Sequence, residues 1–207
     1  MAFRNFMNME KLSLTIAEEH LLQMTDDNFI DDPFLNADKL INNLKNGFVI
    51  ITQLSCYFES FLNTIIASCI NYEGECLLRC SRQEKLDIIF MHYQKDLSMI
   101  KRLNSWSVIN KVTKVRNAMI HYKKTYIGDG SFLPDFKLGG ELVGQFFTKN
   151  NMDILFTEHI KFANEIAAIL GLKTFHDISI FECDGRDGLV NYVYNVDEVY
   201  VDESRFT

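Results

Sequence analysis

Through the first 170 positions of this 207-residue chain, hydrophobic residues recur every three or four places, the period of an α-helix with one buried face. Leu14, Ala17, Leu21 and Met24 mark a first helix over residues 9–24, with Asn8 placed to cap it. The acidic, proline-bearing run Asp26–Pro33 breaks that pattern. A long second helix follows from Asn36 to Asn71, where Leu44, Phe48, Ile51, Phe58, Leu62, Ile65 and Cys69 form a heptad-like stripe widened by Leu54, Tyr57 and Phe61. Polar residues interrupt its most apolar part, which reads as a buried bundle helix and not as a membrane span. Thr52, Cys56, Glu59 and Asn63 run down one flank at helical spacing and make a polar seam beside the apolar face.

Gly74 ends the second helix, and Ser81-Arg82-Gln83-Glu84 has the form of a capping box. It predicts a third helix whose stripe is Leu86, Phe90, Tyr93, Leu97 and Ile100. Asn104-Ser105 breaks the period, Trp106 is placed to plug the bundle end, and Ser107 to cap a central helix, Ser107–Tyr126. Val108, Val112, Val115, Met119 and Tyr122 form its core stripe. At about 100° per residue, Asn117 falls opposite that stripe, with His121 a turn further on and Arg116 beside it. Ile109 and Ile120 fall on the flank next to Arg116, where a helix with one buried face should be polar. They predict a second covered surface, a dimer interface.

Residues 127–150 hold five of the ten glycines and predict a loop with a small hairpin around Lys137–Gln145. Asn151 is placed to cap a fourth helix that carries Phe156, Ile160, Ala163, Ala167 and Leu170 and stops at Gly171. His159 interrupts the 155–159–162 stripe and reads as a satisfied core histidine. Beyond Gly171 the period changes to two. Ile178 and Ile180, then Val190, Tyr192, Tyr194 and Val196, alternate as strands around the turn Cys183–Gly188. The expected organisation is an all-α, up-and-down helical bundle over residues 1–171 with a small C-terminal β-hairpin appendage over 172–207.

Two prolines agree with a helical chain, and a net charge of −7 disfavours indiscriminate coating of nucleic acid. The charge is unevenly spread. Between Leu97 and Gly128 stand seven basic residues and no acidic one, leaving 14 basic and 28 acidic residues elsewhere. Five cysteines without a C-x2-C pair read as reduced thiols, and the N-terminal residues lack the apolar run of a secretory signal. A cytoplasmic protein is expected, with no membrane partner. His20, His92 and His176 have no metal-ligand spacing, and neither a phosphate loop nor a serine-nucleophile elbow is present.

Arg116-Asn117-Ala118-Met119-Ile120-His121 resembles the R-x4-H motif, with a polar residue after the arginine, of the HEPN superfamily. The stretch CYFESFLN around Glu59 is similar to the heart of that superfamily's second helix, and RQEKLDIIF to its third. The resemblance covers roughly residues 36–170. It implies a helical bundle and, in many members, a metal-independent endoribonuclease built from two motif copies across a homodimer, with no cofactor and no metal. On that basis His121 is the expected general acid/base, Arg116 the phosphate clamp and Asn117 the orienting residue, with Glu59 and Tyr122 in support. Lys111, Lys114, Lys123 and Lys124 are the expected RNA-binding residues.

The chemistry suits those residue types. Histidine exchanges protons near neutral pH, arginine offers permanently charged forked donors, and a two-fold axis supplies the second histidine that acid and base roles require. The resemblance points to toxin, abortive-infection or phage-defence effectors held by an antitoxin or regulatory partner. It also extends to non-catalytic interaction or nucleotide-binding modules. A further group consists of toxins silenced by a nucleotidyltransferase partner, whose motif carries Tyr two places after His. Here Lys123 holds that place and Tyr122 adjoins His121, a departure that disfavours this third reading.

Overall fold

The computed structural model describes residues 9–25, 37–69, 79–120 and 137–175 and the strand segments 178–180, 194–196 and 199–201, with side chains through Leu172 apart from those of 67–69. Most of what it describes is helical. In chain order the helices are α1 (Met9–Leu22), α2 (Ala37–Cys69), α3 (Arg82–His92), the short α4 (Ser98–Lys101) and α5 (Asn104–Ile120). The hairpin strands β1 (Lys137–Leu138) and β2 (Glu141–Leu142), the short α6 (Val143–Phe146) and the long α7 (Lys149–Leu170) follow.

Helix α2 is the axis. Its Ile50, Ile51, Leu54, Phe58, Phe61, Leu62 and Ile65 are all buried, whereas Phe48, expected on the same stripe, and Ile41 are exposed. Two apolar clusters divide it. Tyr57, Phe58, Phe61, Leu62 and Ile65 join Leu86, Ile89 and Phe90 of α3, Ile109 of α5 and Phe162, Ala163, Ile166, Ala167 and Leu170 of α7. Ile50, Ile51 and Leu54 join Ala17 and Leu21 of α1, Val112 and Val115 of α5, Phe147, and Met152 and Leu155 of α7. The early half of α2 thus lies level with the late half of α5 and the early half of α7. Helices α2 and α7 run in one sense and α5 runs against them.

Helix α1 is tied to α2 by polar contacts as well. Nδ1 of His20 donates to Oδ1 of Asn46 at 2.8 Å. Buried Asn43 accepts the Thr25 N–H at 2.9 Å and donates to the Thr25 carbonyl at 3.0 Å. Glu10 accepts a hydrogen bond from the Thr64 hydroxyl. The first contact joins the end of α1 to the start of α2 and the last does the reverse, so the two helices are antiparallel.

The local signals act largely as expected. Ser81 and Glu84 form both bonds of the capping box, at 3.4 and 2.7 Å. Gly171 ends α7 in the left-handed conformation at φ 74°. Gly139 and Gly140 turn the hairpin at φ 61° and 92°. A Cβ on Gly139 would come within 2.9 Å of the α5 backbone at Lys114 and Val115, so a side chain there is excluded by contact as well as by conformation. The expected tail pairs antiparallel, residues 173–175 with 199–201 and 178–180 with 194–196, with Ile178 opposite Val196 and Ile180 opposite Tyr194. Val190, Tyr192 and the expected turn at 183–188 lie outside the described residues.

Four expectations are corrected. The third helix stops at His92 and does not run to Ile100. Gln94 takes φ 52°, and the Asp96 carboxylate accepts the Ser98 N–H at 2.8 Å, starting α4 afresh. The central helix begins at Asn104, and Ser107 donates back to the Asn104 carbonyl at 2.8 Å, so it does not act as the cap. Its deepest residues are Ser105, Ile109, Val112 and Val115, whereas Val108 and Met119 are only half-buried. Thr148, not Asn151, caps α7, whose buried face is Met152, Leu155, His159, Phe162, Ala163, Ile166, Ala167 and Leu170.

His159 lies between the apolar clusters, with Nδ1 donating to the Leu155 carbonyl at 2.7 Å. Burial pushes its pKa down to about 4, against the opposing pull of that bond, and Arg82 pushes the same way as burial. In the unfolded chain the ring takes up its proton near pH 6.5. Its contribution to stability is therefore complete above pH 6.5 and falls away towards pH 4, by about 3 kcal/mol in all. Urea unfolding between pH 4.5 and 7.5 should show this slope, and His159→Leu should flatten it. Glu10, whose carboxyl pKa is raised by burial, acts in the opposite sense but is common to both proteins and cancels in the difference.

Candidate functional site

The capping box fixes where α3 begins, and so fixes Arg82 in its first turn with Lys85 one turn later on the same side. Lys85 has no solvent exposure, and its ammonium is paired with the Glu59 carboxylate of α2. Arg82 donates from Nη1 to the Thr113 hydroxyl of α5 and lies over the Phe58 ring, 5.1 Å from its centroid. Thr113 in turn donates to the Ile109 carbonyl at 2.8 Å, which leaves its oxygen free to accept from Arg82. Burial pushes the Arg82 pKa down, the Glu59 carboxylate pulls it back, and the positive charge of Arg116 pushes it down again. The guanidinium remains charged, because the unperturbed value is so high.

Arg116 follows Thr113 by three residues on α5, which puts it on the same side as the Arg82 anchor. It is half-buried and donates from Nη1 to Oδ1 of exposed Asn117 at 3.1 Å. Its Nε is buried and has no partner among the described residues. Helix α3 thereby brings Arg82 and Lys85 to the Glu59 carboxylate of α2, and α5 sets Arg116 beside Arg82.

Of the residues predicted from sequence, Arg116 and Asn117 lie together on α5, and Glu59 is joined to them through Arg82. His121, Tyr122, Lys123 and Lys124 lie outside the described residues. Lys114 is exposed. Lys111 has a partner within the fold. Its ammonium pairs with Glu141 of β2 at 3.0 Å and sits 5.2 Å from the Phe146 ring centroid, so in this structure it links the hairpin to α5 while staying partly exposed. Ile109 is corrected: at 1% exposure it belongs to the bundle's own core, which uses both flanks of α5, and it has no surface left for a second chain. Ile120 is 52% exposed.

Arg82 and Lys85 were missed as site residues. The trace they left was a lysine adjoining the Leu86–Phe90 stripe, one turn from an arginine. Among the described residues no three His, Cys, Asp or Glu side chains gather as metal ligands would. Compared with family models, curated proteins and solved structures, the chain matches none.

The Glu59–Lys85 pair carries a clear energetic expectation. Glu59→Ala strands a buried ammonium and should cost about 3 kcal/mol, the low end for a buried pair because the carboxylate side is partly open to water. Adding Lys85→Met should recover most of that loss. A double variant whose loss is simply the sum of the two single losses, measured by denaturant unfolding, would show the pair to be uncoupled.

Proposed function

We propose that this protein is a HEPN-like helical bundle with a C-terminal β-hairpin appendage, acting as a metal-independent endoribonuclease of the toxin or anti-phage defence kind. The observation that carries the reading is the setting of Arg116. The arginine of the R-x4-H motif is half-buried beside a second guanidinium and has an unpartnered Nε, an environment that favours an incoming anion.

In this mechanism the 2′-oxygen of a ribose attacks the adjacent phosphorus and the bond to the 5′-oxygen breaks. A histidine takes the 2′-hydroxyl proton, and a second histidine delivers a proton to the departing 5′-oxygen. One chain supplies one His121, so the other comes from a paired copy. Arg116 binds the charge on the non-bridging oxygens, and Asn117 orients groups beside it. Exposed Ile120, one residue before His121, suits the contact between copies. The protein acts in the cytoplasm, restrained by an antitoxin or regulatory partner.

Purified protein should cut RNA in the presence of EDTA, leaving 2′,3′-cyclic phosphate or 3′-phosphate ends, and His121→Ala should slow cutting by about 10²–10⁴. Cleavage that EDTA abolishes and Mg²⁺ restores would sink the mechanism. RNA binding without any cleavage would point instead to a non-catalytic module. Ile120→Asp should leave a folded monomer that no longer cuts, as read by light scattering beside the cleavage assay. A monomer that still cuts would exclude the shared site.

A further inference from the structure

The R-x4-H motif supplies one guanidinium, and the structure sets another beside it. Arg82 comes from α3, 31 residues before the Thr113 hydroxyl that anchors it. Phe58 supports its face. Lys85 is sealed from solvent and occupied by Glu59, so it does not reach a ligand directly. At the helix N-terminus the capping box already engages the N–H groups of Ser81 and Glu84. What an entering anion could engage is the side of Arg82 not bound to Thr113, together with the Nε of Arg116, which is buried and has no partner among the described residues.

We propose that Arg82 and Arg116 form a two-guanidinium cradle for a phosphodiester of the RNA strand, with Thr113 and Phe58 holding Arg82 in position. The cluster has two positive charges in excess of its carboxylate, in a place where water screens them poorly. An anion with several acceptor oxygens accepts from both forks at once and relieves their mutual repulsion. A strand fits better than an isolated carboxylate, because a phosphodiester offers several acceptor oxygens to the two forks and α5 carries no acidic residue to repel it. The identity of the strand rests on the ribonuclease reading; the cradle itself does not require turnover.

The test uses a 2′-O-methyl RNA oligonucleotide, which cannot attack its own phosphate, and measures its binding by fluorescence anisotropy across a range of salt concentrations. Cleavage of the matching ribose oligonucleotide is followed on the same preparations. Arg82→Met keeps the stem over Phe58 and removes the charge. It should weaken binding about tenfold and reduce the slope of log affinity against log salt by about 0.7, one phosphate contact on a single strand. Affinity within twofold of wild type at an unchanged slope would overturn the cradle, as would the absence of salt-sensitive binding by the wild type.

The two readings separate cleanly. Cleavage with Arg82-independent binding removes the cradle and keeps the nuclease, whereas Arg82-dependent binding without cleavage does the reverse. Should Arg82→Met not fold, the wild-type Nε–H signal of Arg82 in an NMR titration with the same oligonucleotide decides. That signal is identified by its loss in Arg82→Lys. It should move together with that of Arg116, and a stationary signal at saturation overturns the proposal.

Discussion

The ammonium of Lys85 is the constraint on which the central part of the structure depends. Removing such a group from water costs several kcal/mol unless a counter-charge meets it. Helix α3 therefore settles against α2 where the Glu59 carboxylate reaches Lys85. The capping box at Ser81 fixes the start of α3, and one helical turn separates Lys85 from Arg82. Those two conditions bring the Arg82 guanidinium to the seam between α2 and α5, where Phe58 and Thr113 receive it. Arg116, the next residue on that side of α5, then has a cation for a neighbour. The placement of the cluster follows from the burial of one lysine.

Much of this fold is legible in single-residue chemistry. The stop at Gly171 and the Ser81–Glu84 box each need only a few adjacent residues, and each forms as read, whereas the hairpin expected over Lys137–Gln145 ends at Leu142, where α6 begins. Periodicity does less well where side chains compete with it. Asp96 offers its carboxylate to the Ser98 backbone and so ends a stripe that the apolar pattern carries on to Ile100. On α5 the deepest positions include Ser105, whose hydroxyl donates to Glu165 at 2.5 Å. A reading that counts apolar residues passes over a satisfied serine and rotates the helix accordingly. Ile109, assigned to the surface on that account, turns inward with it.

The candidate site was legible only in part, for a related reason. Arg116 and Asn117 stand out through the resemblance of one short stretch of helix to the R-x4-H motif. The links from Glu59 to Lys85 and from Arg82 to Thr113 span 26 and 31 residues, and nothing local marks them. Charge counting along the chain has the same weakness. It credits α5 with Lys111, which the fold spends on Glu141, and it leaves out Arg82 and Lys85, which the fold brings in. The basic island in sequence and the cationic cluster in space share Arg116, while their other members differ.

The cluster is also a liability to the fold. Two guanidiniums on facing helices repel, and a buried ion pair is often replaced by apolar side chains with no loss of stability. The packing that Arg82 contributes over Phe58 comes from its aliphatic stem and its flat face, which a methionine of similar length would match in large part. Its hydrogen bond to Thr113 does not require the positive charge to be placed next to Arg116. Apolar burial around α2 already holds the bundle together. The bulk of Arg82 therefore has a structural explanation, and its charge only a partial one: the Glu59 carboxylate favours it, while burial and Arg116 oppose it. Local departures from the most stable choice of side chain are where binding and catalysis leave their mark on a fold. A charge opposed by burial and by a second guanidinium, with one shared carboxylate to offset them, would gain a further counterpart in the proposed anion between the two arginines.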